Sequence, residues 1–102
     1  MSLISPVRIS QTARNEIAET LTANKIPDSY GLRVGMKGGG CGAQFLLGLD
    51  LPASTDQIYW IDDVKVIIDK RHLMYVIGTQ IDFEENEAGA GFTVNKSDLN
   101  NL

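Results

Sequence analysis

Along the chain, apolar residues change period several times, and each change marks an element. After Ser10, the stretch "QTARNEIAETLTAN" places Ala13, Ile17 and Leu21 at four-residue spacing. That spacing predicts an amphipathic helix with Ser10 as its N-cap. Pro27, Asp28 and Ser29 end it, and in "YGLRVGM" Leu32, Val34 and Met36 alternate with Gly31, Arg33 and Gly35. Period two predicts a half-buried strand. Ala43, Phe45, Leu47 and Leu49 fall on one face of a second extended run, so "KGGGCG" is read as the connection of a hairpin. "QIYWI" and "VKVII", separated by Asp62 and Asp63, predict another hairpin. Asp69 suits the cap of a short helical turn over "KRHLMYV", closed by Gly78, after which Ile81 and Phe83 alternate with polar neighbours. A polar turn "EENEAGAG" then leads into a last strand, "FTV", and the tail "NKSDLNNL", from about residue 95, is expected to fray. The expected core is Leu32, Val34, Phe45, Leu47, Val66, Ile68, Ile81 and Phe83, with Tyr59, Trp60 and Tyr75 as core or interface residues.

The pattern predicts a single domain over residues 1–102, mainly β in an α+β arrangement: about six or seven short strands with an N-terminal helix on one side. Composition agrees, since 43% hydrophobic and 22% charged residues are ordinary for a globular chain. The formal net charge of -4 gives no general attraction to nucleic acid or to an anionic membrane. The first residues lack the layout of a signal peptide, and no apolar run approaches the length of a membrane span, so a soluble cytoplasmic protein is expected. One cysteine, Cys41, cannot close an internal disulfide, which fits a reducing compartment.

Cys41 sits among Gly38, Gly39, Gly40 and Gly42. Two readings stay open at this point, a small residue tolerated in a tight turn or a thiol placed for chemistry, with Lys37 as the nearest cation in sequence. The loop is no phosphate loop, because it lacks the Gly-Lys-Ser/Thr ending and leads into a strand rather than a helix. His72 is the candidate nitrogen ligand, but beside Lys70 and Arg71 it is read as solvent-facing. Asp62 with Asp63, and Glu84, Glu85 and Glu87, are read as solvated turns rather than metal or acid/base sites. No Ser-His-Asp arrangement is present, and the chain is not expected to be an enzyme.

Taken in order, the helix, "GLRVGMKGGGCG", "VKVIIDKRHLMYVIGTQIDF" and "GAGFTV" resemble the HesB-like domain of the A-type iron-sulfur carriers, the IscA-like proteins of iron-sulfur cluster assembly. The resemblance covers nearly the whole chain. It implies a compact mixed β fold, a β-sandwich or half-barrel, commonly dimeric or tetrameric. It also implies iron, or a [2Fe-2S] or [4Fe-4S] cluster, held on three cysteines: one after the glycines, here Cys41, and a Cys-Gly-Cys pair near the C-terminus. That pair has no counterpart before Leu102, which is read as a natural loss, and the run Cys41-Gly42-Ala43 departs from the usual small residue followed by Gly. A single thiolate falls short of the four ligands a cluster wants, and carboxylates such as Asp82 or Glu84 are harder donors. The expectation is a carrier or scaffold-like protein that binds iron or a labile cluster through Cys41, with further ligands from a second subunit or partner. Its expected partners are iron-sulfur biogenesis proteins or apo client proteins. The alternative is a degenerate carrier fold serving as a metal-free protein interaction module.

Overall fold

The computed structural model describes residues 5–38 and 44–96. Strand β1, Val7–Ile9, precedes helix α1, Gln11–Ala23. Six strands follow: β2, Gly31–Lys37; β3, Gln44–Asp50; β4, Asp56–Ile61; β5, Val64–Asp69; β6, Thr79–Asn86; and β7, Gly89–Lys96. Between β5 and β6 a 3-10 turn, Lys70–His72, runs into a one-turn helix α2, Leu73–Val76. The fold is mostly β, as expected, in two small sheets ordered β1-β6-β7 and β3-β2-β5-β4.

The local elements form for the reasons the pattern gave. The Ser10 side chain accepts from the Ala13 N–H at 3.1 Å and starts α1, which buries Ala13 and Ile17. Ser10 also donates its hydroxyl to the Asp82 carboxylate at 2.7 Å, tying the helix start to β6. Ser10→Ala is therefore expected to cost about 1 kcal/mol in urea denaturation, and a change below a few tenths would show that cap to be idle. Asp62 and Asp63 both take positive φ, 49° and 74°, the left-handed pair that a tight β4–β5 hairpin needs.

Leu32, Val34, Val66, Ile68 and Ile81 are buried, joined by Val7, Ile9, Ala13, Ile17, Ile61, Val64 and Val76. Phe45, Leu47 and Phe83 are half-buried and pack against that cluster. Phe45 and Leu47 stand on β3, an edge strand with a neighbour on one side only, and Phe83 packs edge-to-face on Phe92 with ring centroids 5.0 Å apart.

Several expectations are corrected. Of the core-or-interface reading, the core half fails for Trp60, which is 68% exposed, and for Tyr75, which is exposed too; on β4 the inward positions are Tyr59 and Ile61, which leaves Ile58 and Trp60 on the outer face. The segment read as a long polar turn is two extended strands joined at Glu87 and Ala88, with the Asn86 carboxamide accepting from the Ala88 N–H. β7 runs on through Asn95 and Lys96, placed in the tail by the sequence reading, because they pair with Gln80 and Thr79. Strand β1 and both parallel pairings, β1 with β6 and β2 with β5, were not foreseen. Among the described residues no helix is long and apolar enough to cross a membrane.

Candidate functional site

Cys41, the candidate cluster and metal ligand, lies outside the described residues, as does Ala43. The hairpin that carries it is described up to its last register pair, Lys37 opposite Gln44, and the next residue, Gly38, takes φ 81°, which glycine adopts without strain. The described geometry concerns that base, where β2 meets its neighbours.

Strand β2 pairs with β3 along its whole length, but its pairing with β5 is confined to Leu32 with Val66 and Arg33 with Ile67. Past Arg33 the β5 side of β2 needs another acceptor. His72 supplies it: the Met36 N–H donates to His72 Nδ1 at 3.4 Å. The ring comes so close to β2 that a Cβ built on Gly35 would lie 2.9 Å from Nδ1, so a side chain there would have to displace the ring. His72 is half-buried here, not the solvent-facing residue its polar neighbours suggested. Nδ1 is thereby engaged by the backbone, and His72 acts as a structural partner of β2.

Asp69 aims His72. At the end of β5 its carboxylate accepts from the Arg71 N–H at 2.8 Å and from the Arg71 guanidinium at 3.0 and 2.6 Å, which turns the chain back over β2. The same guanidinium, then the backbone N–H, hold the Asp69 carboxyl well below the usual carboxylate range.

On the same outer face Arg33 joins three elements. Its guanidinium donates to both Asp56 oxygens at 2.8 Å, to Asp50 at 2.8 Å and to the Leu51 carbonyl at 3.3 Å. The Asp56 side chain is 1% exposed and also accepts from the Ala53 N–H at 2.7 Å. Arg33 therefore depresses the Asp56 carboxyl pKa, and Asp56 raises that of the guanidinium. Sequence reasoning passed over this network, although a cation in mid-strand with Asp50 and Asp56 further along was a signal.

The acidic candidates stay apart. Asp62 pairs with Arg14 at 2.9 Å, and Glu84, Glu85 and Glu87 are exposed along the β6–β7 hairpin. The Asp82 carboxylate is engaged by the Ser10 hydroxyl and the Phe83 N–H, which lower its pKa. Among the described residues no three His, Cys, Asp or Glu side chains converge as a metal site.

Comparison with known proteins agrees with this architecture. The family model described as iron-sulphur cluster biosynthesis matches residues 6–101. The iron-binding protein IscA of Enterobacter sp. is 40% identical over 65 residues, a match spanning 62% of this chain and 61% of that protein. Two solved structures share the fold: Escherichia coli SufA, with TM-score 0.73 at 21% identity over 93% of this chain and 89% of that one, and IscA with its [2Fe-2S] cluster, with TM-score 0.68 at 20% identity over 88% and 81%. The ordered motifs, the two-sheet fold and the match along nearly the entire sequence lead to one assignment: the chain belongs to the iron-sulphur cluster biosynthesis family of IscA- and SufA-like proteins.

Proposed function

We propose that this protein is a non-enzymatic carrier of iron-sulfur biogenesis that takes iron or a labile iron-sulfur cluster as cargo on Cys41 and passes it to apo client proteins. The observation that carries the reading is the position of the chain's one cysteine: it falls in the glycine loop of the β2–β3 hairpin, within the matched family region. The similarity to a protein named iron-binding, and the shared fold with an IscA that holds a [2Fe-2S] cluster, support iron or such a cluster as the cargo. One thiolate per chain leaves coordination incomplete, so a second copy in a homodimer or tetramer, or a thiol from a partner, supplies the remaining ligands. Incomplete coordination favours exchange over storage. A reducing, cytoplasmic setting would keep that thiol available.

The test is anaerobic reconstitution with iron and sulfide, without added thiol, of the wild type and of Cys41→Ser, followed by excess chelator. The expected result is a visible chromophore in the wild type that chelator removes within minutes, and a colourless serine variant. An identical chromophore in Cys41→Ser would remove Cys41 from the mechanism.

A further inference from the structure

Helix α2 turns Leu73 and Val76 toward the core and leaves Met74 84%, Tyr75 58% and Ile77 51% exposed. This apolar surface follows directly on His72, whose ring is pinned over Gly35 and hydrogen-bonded to Met36, so α2 is held against the end of β2 that leads into the Cys41 loop. Its surroundings are basic. Lys70 and Arg71 precede it, the Lys96 ammonium donates to the Ile77 carbonyl at 3.2 Å, and Lys37 lies one step beyond Gly35 on the same face of β2. Between Asp69 and Asp82 the chain carries no acidic residue, and Asp69 is occupied by Arg71. Lys37, Lys70 and Lys96 enter no ion pair among the described residues. A chain of net charge -4 repels acidic proteins on average, so a local basic rim around an apolar centre gives an acidic partner one favourable approach.

We infer that the exposed face of α2, with Lys70, Lys37 and Lys96 around it, is the docking surface for an acidic apo-acceptor protein that seats an apolar side chain on Met74 and Tyr75. The inference rests on the carrier reading above and adds how the acceptor is recognised. Docking there brings the acceptor to the hairpin that holds Cys41.

The probe is an acidic apo-ferredoxin of the plant [2Fe-2S] type, titrated into the metal-free, isotope-labelled chain while amide resonances and affinity are followed. Saturable shifts confined to residues 70–78 and Lys37, weakening with salt, are expected. Met74→Ser with Tyr75→Ser, and separately Lys70→Glu, should each weaken binding about tenfold with unchanged circular dichroism. Ile58→Ser with Trp60→Ser, at the far edge of the same sheet, should leave affinity within about twofold and serves as the control for exposed apolar surface. No saturable binding, equal loss in the control, or a concentration-dependent self-association abolished by the Met74/Tyr75 substitutions would overturn the proposal, the last by assigning the surface to a second copy. Because the titration contains no metal, Cys41→Ser should dock normally; docking without reconstitution would overturn the cargo reading alone.

Discussion

Arg33→Ala is expected to destabilise the fold by about 2–3 kcal/mol, between the small cost of losing an exposed pair and the roughly 3–5 kcal/mol of breaking a fully buried one. Arg33 is 19% exposed and Asp56 1%, so the substitution leaves a desolvated carboxylate whose remaining polar contact is the Ala53 N–H. Its pairing with Asp50, which is more than half exposed, adds little by comparison. The pH dependence carries a sign. In the wild type the Asp56 pKa is lowered on folding, so its contribution is fully present above the unfolded value near 4 and is lost as pH falls through the lower folded value. Without Arg33, burial favours the neutral acid instead, and the deficit of the variant should shrink as pH drops below about 5. Urea denaturation of both proteins from neutral to acid pH measures this. A deficit under about 1 kcal/mol at neutral pH would mean that the pair is screened like an ordinary surface one.

Gly35→Ala is expected to destabilise by about 1–2 kcal/mol, against the general preference for alanine over glycine in a strand. That preference contributes about 0.5–1 kcal/mol in favour of the variant. The new methyl, however, meets His72 Nδ1 at 2.9 Å, and moving the ring withdraws the acceptor of the Met36 N–H, at about 1–3 kcal/mol for a buried donor left unpaired. In a His72→Ala background the obstacle is gone, and Gly35→Ala should become neutral or stabilising. A double-mutant cycle with amide exchange at Met36 separates the two effects. If Gly35→Ala stabilises the wild type, the imidazole is free to move and does not fix α2 on β2.

What could be read from sequence was what is local. Helix α1, the β2–β3 and β4–β5 hairpins and the Asp69 turn each depend on residues a few positions apart, and period and capping chemistry reveal them. β1 could not be read, because three residues with two apolar ends form no period, and what makes "VRI" a strand is its pairing with Thr79, Gln80 and Ile81. For Trp60 the sequence left core and interface open, and only the register of β4 on β5, which turns Tyr59 and Ile61 inward, excludes the core. His72 shows the limit for the candidate site: its neighbours in sequence are cations, but its neighbour in space is Gly35, and a glycine's lack of a side chain becomes informative only once the chain is folded. For Cys41 the family motif supplied the meaning, and the described geometry stops at Gly38 and Gln44 on either side.

The pairing of β1 with β6 also bears on how the chain comes to fold. Ser10 and Asp82, joined by a hydrogen bond, are 72 residues apart, and Val7 waits for Thr79. During synthesis both hairpins of the larger sheet emerge while β1 still has nothing to join, and long-range pairing of this kind slows folding because loop closure precedes any gain from contact. Until β1 docks, one side of β6 is an open strand edge next to the fully apolar Ile81 position, a template for pairing with another chain. Three residues at the very start of the fold thus guard its smaller sheet, and trimming them would be felt first as aggregation of newly made protein.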